Sequence, residues 1–333
     1  MKCFWDERQR THAPSGEIFN GAMHPPAEHP GRVDAILQAI GPTQAPTDRG
    51  MEPLLRVHAA DYLDFLRTAH DEWRAAGREG DAFPYTFPIV GRRPLNLSRI
   101  DALLGRFSFD TSTPIAAGTW DAAYWAAQTA VAAADSVIGG ERSAFALCRP
   151  PGHHAGADYL GGYSYLSNAA IAAQHAATAG RRVAILDVDY HHGNGTQDIF
   201  YDRSDIAFAS IHADPATDYP FFWGHSDEAG AGEGKGATLN LPLPRGTEWT
   251  GYAPALAQAL DWIERHGPDL LVVSFGADTY EADPISHFKL KTGDYAPMAR
   301  RVASLGVPTL IVMEGGYAIE ALGQNVAEFL GGF

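Results

Sequence analysis

Cysteine is nearly missing: Cys3 and Cys148 are the only two in a chain of 333 residues. That is too few for a disulfide framework, and they lie too far apart to resemble a zinc knuckle. A reducing, cytoplasmic setting is the expectation, with Cys148, at the end of an apolar run, a buried thiol. Basic residues are also scarce, 25 Lys and Arg against 40 Asp and Glu, for a net charge of −15. The deficit argues against nucleic acid and anionic membrane as partners and suits the steering of a cationic small molecule. Plain solubility or salt adaptation would give the same composition. No apolar run approaches the roughly 18 residues that span a bilayer. The N-terminus, MKCFWDERQRTH, turns charged at once and carries no apolar signal region. No Gly/Ser/Pro linker or internal repeat divides the chain, so one domain over residues 1–333 is expected.

What is abundant is apolar sequence, 45% of the residues, arranged as short β-branched runs alternating with helical patterns. Strands are expected at residues 1–5, 143–148, 183–189, 206–214, 238–244, 269–278 and 308–317. The prolines in 238–244 place that strand near an edge. Helical spacing marks 30–40, 59–77, 119–138, 168–179, a short stretch near 196–201, 249–265, 294–304 and 318–330, with Thr119 read as an N-cap. Residues 12–30, rich in His, Pro and Gly, read as irregular and exposed. Residues 78–118 read as a long irregular segment, functional or a partner surface. Strand–helix alternation implies an α/β fold with a mainly parallel, doubly wound sheet.

The organising stretch is 183–198, VAILDVDYHHGNGTQD. A run buried on both faces of a sheet gives way to Asp187, Asp189, His191, His192 and Asn194. Side chains alternate along an extended path, so Asp187, Asp189 and His191 project together. Asn194 alone would be an ordinary turn residue. Four potential ligands at 187–192 exceed what a turn requires. Other apolar runs also deliver polar residues past their ends: His153 and His154, Ser210 and His212, Asp278, and Glu314 and Tyr317. Parallel topology gathers these ends on one sheet edge. Asp189, His191 and Asp278 make a mixed oxygen and nitrogen set with an open position, the pattern of a catalytic zinc site. Asp187 and Asn194 are available to orient His153 and His154 respectively, and an anionic partner raises a histidine's basicity more than a neutral one. Tyr317, after Gly315 and Gly316, is placed to swing over the metal and donate to an oxyanion.

The motifs RPPGHHAG, GGYSYLSNAA, DVDYHHGNGTQDIFY, SIHADP, GADTYEADPISHFKL and MEGGY, in this order, resemble the zinc-dependent deacetylase family of the arginase–deacetylase fold. Within it the chain is most similar to bacterial acetylpolyamine amidohydrolases, relatives of class II histone deacetylases. The resemblance implies a single-domain α/β fold with an eight-stranded sheet and helices on both faces. It implies one catalytic Zn²⁺ on Asp189, His191 and Asp278, with Fe²⁺ the alternative ion. His154 would be general base then acid, His153 an electrostatic partner, and Tyr317 the oxyanion donor. It implies a structural K⁺ on Asp187, Ser210 and carbonyls around Asp189, His191 and Ile211. Gly162 would offer its carbonyl to the substrate amide, and Tyr163 and Tyr219 would wall the tunnel. Glu17 and Asp101 match the acidic residues at the tunnel mouth. The relatives carry Glu at the second of these positions, and the Asp here is one methylene shorter. The 78–118 segment corresponds to an insertion that pairs subunits and narrows the tunnel, so a homodimer acting on acetylated polyamines is expected. Protein acetyl-lysine deacetylation by the same machinery is the alternative.

Overall fold

The computed structural model describes residues 1–89 and 96–333. Its strands, in chain order, are β1 (Lys2–Phe4), β2 (Glu17–Phe19), β3 (Ala22–His24), β4 (Ser143–Ala146), β5 (Val183–Asp187), β6 (Ile206–Ala213), β7 (Thr238–Leu243), β8 (Leu270–Phe275) and β9 (Thr309–Met313). The α-helices are α1 (Gly31–Ile40), α2 (Glu52–Leu55), α3 (Ala60–Ala75), α4 (Ile100–Phe107), α5 (Thr119–Ile138), α6 (Asn168–Thr178), α7 (Asn194–Phe200), α8 (Trp249–His266), α9 (Thr292–Ala303) and α10 (Ile319–Leu330).

Seven strands pair in the order β1-β4-β9-β8-β5-β6-β7, every pair parallel. Among the described residues that is one strand fewer than the eight the resemblance implies. The remaining two strands pair with each other, antiparallel, outside the main sheet. β7, with Pro242, is an edge strand, where a missing N–H costs no ladder bond.

Alternation along the strands divides the core cleanly. Ala144, Ile185, Phe208, Val272 and Val312 pack on one face with α3, α5 and α6. Phe145, Leu186, Ala209, Val273 and Ile311 pack on the other with α1, α8, α9 and α10. Both faces are therefore dry, as the nearly continuous apolar runs require. Among the described residues no helix is long and apolar enough to cross a membrane.

Three readings need correction. Residues 12–30 hold the β2–β3 ribbon, turned by Asn20 (φ 50°) and Gly21 (φ 77°), and Glu17 and Glu28 within that stretch are buried. Both central turn residues take the left-handed conformation, the type I′ signature that an Asn-Gly pair favours. The 78–118 segment is not irregular throughout, because Ile100–Phe107 forms α4 and buries Ile100, Leu104 and Phe107; residues 90–95 of it lie outside the described residues. Thr119 is the first residue of α5 rather than its cap, and its hydroxyl accepts the N–H of Ala116.

Candidate active site

Connectivity decides where the chemistry sits. The chain crosses from β4 to β5, leaving room for β8 and β9 to insert between them later. The segments leaving β4, β9, β8 and β5, four adjacent strands, carry His153/His154, Tyr317, Asp278 and Asp187–His191. This is the switch point at which open α/β sheets bind ligands.

Asp189, His191 and Asp278 offer ligand atoms all within 4.8 Å of one another. His191 Nδ1 lies 3.0 Å from Asp278 Oδ2 and 3.4 Å from Asp189 Oδ1. Backbone donors fix both carboxylates: Gly315 N–H to Asp189 (2.8 Å), His191 N–H to Asp189 (2.9 Å) and Tyr190 N–H to Asp278 (2.9 Å). Burial and the neighbouring Asp189 push the Asp278 carboxyl up to about 7. Two buried carboxylates this close repel unless a cation sits between them. The space is also reserved: a Cβ at Gly276 would fall 1.9 Å from Asp189 Oδ2, and one at Gly315 would fall 2.6 Å from Asp278 Oδ2. The donor set, its crowding and its glycine cradle fit a divalent ion with a vacant coordination position.

The two histidines beside it are made different by their partners. Asp187 takes His153 Nδ1 at 3.0 Å, while Asn194 Oδ1 takes His154 Nδ1 at 2.6 Å. Burial works against a charge on His153, but Asp189 and Asp187 prevail and hold it up to about 10. Burial lowers His154, and the rings of His153 and His191 lower it further. The surroundings thus favour the charged form of His153 and the neutral form of His154.

Tyr317 enters from the β9 side with its backbone pinned. Its N–H donates to Asp283 (2.7 Å), and buried Arg32 donates to the carbonyls of Gly316 (2.7 Å) and Glu314 (2.5 Å). The ring lies between the Arg32 guanidinium, 4.9 Å from its centroid, and Tyr163 at 5.7 Å. Gly315 and Gly316 supply close approach and a φ of 122° at Gly316. Burial raises the phenol well above its ordinary range, so it remains a donor.

A cavity of about 370 Å³ connects these groups to solvent, lined by His154, His191, Tyr317, Gly162, Tyr163, Tyr219 and Glu17. Gly162 (φ 53°) lies so near His154 that a Cβ would meet its Cδ2 at 2.2 Å, and Tyr163 holds φ 62°, a conformation costly for a side-chain-bearing residue. Glu17 is buried, accepting from Tyr163 Oη (3.2 Å) and Ala27 N–H (3.2 Å), and burial raises its carboxyl. Asp101 does not join them. It is buried on α4 between Arg78 (2.5 Å) and Arg99 (2.8 Å) and does not line the cavity. Ser210 lies opposite Asp187 across the β5–β6 ladder, with Ile211 next; its hydroxyl contacts His212 Nδ1 at 2.8 Å.

Sequence reasoning missed Asp110, whose Oδ2 accepts from Gly162 N–H (2.7 Å) and Tyr219 Oη (2.9 Å) and so braces both tunnel walls. It also missed the buried cluster Glu28, Arg32 and Arg149, which adjoins Glu314 at the end of β9. Arg149 meets both oxygens of Glu28, and Glu314 accepts from Gly152 N–H (2.7 Å) and His153 N–H (3.1 Å). The Glu28–Arg32 spacing, one helical turn apart, was the available clue.

The chain matches the histone deacetylase domain over residues 26–333. It is 51% identical to acetylpolyamine amidohydrolase 1 of Pseudomonas aeruginosa, over 100% of this chain and 99% of the relative. The acetylpolyamine amidohydrolase of Mycoplana ramosa is 45% identical, over 100% and 99% of the two chains. The crystal structure of an acetylpolyamine aminohydrolase from Burkholderia pseudomallei superposes with a TM-score of 0.95 at 43% identity, covering 100% of this chain and 98% of that one. The parallel sheet, the metal-fitting triad and the matched sequence agree, and the chain belongs to the histone deacetylase domain family.

Proposed function

We propose that the protein hydrolyses the N-acetyl amide of cationic acetylated polyamines of the acetylputrescine, acetylcadaverine and acetylspermidine type, releasing acetate and the free amine. One observation carries the reading: a neutral histidine, a phenol donor, His191 of the metal-fitting triad and a buried carboxylate, Glu17, all line one cavity.

Asp189, His191 and Asp278 would hold Zn²⁺, or Fe²⁺, which when bound supplies a Lewis acid and a more acidic water. His154 takes a proton from the attacking water on the ring nitrogen not engaged by Asn194, then returns it to the departing amine. Tyr317 donates to the carbonyl oxygen as it gains charge. His153, held cationic by Asp187 and Asp189, stabilises that charge without exchanging its proton. Gly162 presents its carbonyl to the substrate amide, Tyr163 and Tyr219 enclose the methylene chain, and Glu17 meets the distal ammonium. Asp187 and Ser210, with the carbonyls of Asp189, His191 and Ile211, are hard oxygen donors suited to K⁺.

Asp101 would reach a substrate from α4 only across a subunit boundary. The 78–118 segment exposes Tyr85, Phe87 and Ile89 (74, 42 and 69%), which supports a homodimer contact there. Both cysteines are buried thiols, which supports a reducing, cytoplasmic setting.

A kinetic panel on zinc-loaded enzyme tests the reading: acetylcadaverine and acetylspermidine should be turned over faster than acetyl-lysine peptides. Preference for the peptides would replace it with the protein deacetylase alternative. Glu17→Gln should raise the KM for acetylcadaverine about tenfold, equivalent to roughly 1.4 kcal/mol, and leave a neutral acetyl-lysine analogue nearly unchanged. Equal effects on both substrates would reduce Glu17 to a structural contact of Tyr163.

A further inference from the structure

Asn194 opens α7, and Asp198 lies four residues on, so the two share one face of the helix. Tyr159 is laid across that face. Its hydroxyl is 2.7 Å from Asp198 Oδ2 and 3.3 Å from Asn194 Nδ2. Asn194 Oδ1 in turn lies 2.6 Å from His154 Nδ1.

We propose that Tyr159 and Asp198 are positioning residues that set which nitrogen of His154 carries the proton. The inference rests on His154 acting as the base, as proposed above. An asparagine amide rotated by 180° fits the same space, so shape alone does not orient Asn194. Hydrogen-bond direction does. Asp198 lies at the surface end of this chain of bonds; burial raises its carboxyl, hydrogen bonds from Tyr159 and Trp223 favour the charged form, and as a carboxylate it only accepts. Tyr159 must donate to it, and its oxygen is then left as an acceptor. Asn194 answers with its NH₂, whose other contact, the carbonyl of His154 at 3.5 Å, is also an acceptor. The amide oxygen is thereby turned to His154 Nδ1, which must carry the hydrogen. Nε2 keeps its lone pair and is free to take a proton from water. With the amide reversed, NH₂ would face Nδ1 and move the hydrogen to Nε2, which disables the base.

The Tyr159 ring is held independently of its hydroxyl. It stacks near Trp223 (6.2 Å), meets Phe109 edge-on (5.6 Å), and presses on Gly156, where a Cβ would come within 2.3 Å of it. Tyr159→Phe therefore removes the donor and keeps the packing.

The test is a double-mutant cycle on zinc-loaded enzyme, with ¹⁵N-imidazole spectra of histidine-labelled protein, His154 being assigned by its loss in His154→Gln. Tyr159→Phe should lower kcat on acetylcadaverine about tenfold with KM unchanged, a partial form of the wrong-tautomer defect. It should also shift His154 from the Nδ1–H form towards a mixture. Asp198→Asn, a surface change that spares the fold, should act in the same direction. In an Asn194→Asp background, where either oxygen accepts from Nδ1, adding Tyr159→Phe should cost less than about twofold. Equal cost in both backgrounds, or an unmoved His154 spectrum, overturns the proposal. The spectra report the tautomer even if acetylpolyamines prove not to be substrates, so failure of the functional reading is separable from failure of this one.

Discussion

Tyr317→Phe lowers kcat on acetylcadaverine by about 10²–10³-fold, the cost of losing one donor to a developing oxyanion, while zinc content and melting temperature stay near those of the parent. The asymmetry follows from how the residue is held. Its backbone N–H is tied to Asp283, and its ring is set between Arg32 and Tyr163; none of these contacts uses the hydroxyl. Phenylalanine keeps all three. Only the donor facing the cavity is lost, and it acts on charge that grows between ground and transition state. The KM should therefore change little, because the substrate carbonyl draws far less on that hydrogen bond than the transition state does. Acetate release gives the rates, and metal analysis on the same sample gives the zinc. Unchanged turnover would remove Tyr317 from the reaction. Zinc lost in step with turnover would show that the substitution disturbs the Gly315 turn that supports Asp189.

The site was legible wherever its residues are delivered by strand ends. Asp187 ends β5, Asp189 and His191 follow it, Asp278 follows β8 and Tyr317 follows β9, and parallel topology forces these ends together whatever the loops do. Residues reaching the cavity from outside the sheet obey no such rule. Glu17 sits on a ribbon, turned at Asn20–Gly21, in a stretch read as irregular, and its burial depends on Tyr163 and Ala27, contacts no local pattern encodes. Asp110 is a single carboxylate in a polar stretch, and its importance comes from the two tunnel-wall donors it accepts. Asp101 shows the converse. Resemblance assigned it to the tunnel mouth, while within one chain its charge is matched by Arg78 and Arg99. The acidic composition pointed to a cationic ligand without identifying which of 40 carboxylates face it.

Asp278→Ala should reduce zinc affinity by more than about 10²-fold, beyond the 10–100-fold that changes outside the ligand set typically cost, and abolish turnover at ordinary zinc concentrations. Asp278 offers one of the three candidate ligand groups, and Asp189 and His191 alone leave that set incomplete. The isosteric Asp278→Asn separates charge from space, because it retains an acceptor for the N–H of Tyr190. It should also fail to retain zinc, and its stability should vary with pH differently from that of the parent. In the chelated parent the folded Asp278 carboxyl is held up to about 7 by burial and by Asp189, whereas in the unfolded chain it titrates near about 3.9. The fold binds that proton more tightly, so its contribution is full below about pH 4 and is lost as the pH rises through about 7. His191, which burial would lower but Asp189 and Asp278 hold up to about 10, acts in the same sense at higher pH. The chelated parent should thus melt progressively lower between pH 5 and pH 8, about the span set by those shifts. Zinc should restore the loss, by more at pH 8 than at pH 5, since it replaces the protons that the ligands must release. Chelated Asp278→Asn lacks this carboxyl and should show a flatter profile, the remaining slope coming from Asp283 and Glu314, which burial raises to about 6 and about 7. A variant that binds zinc as the parent does, or a parent whose zinc-dependent stabilisation is the same at both pH values, would remove Asp278 from the metal site.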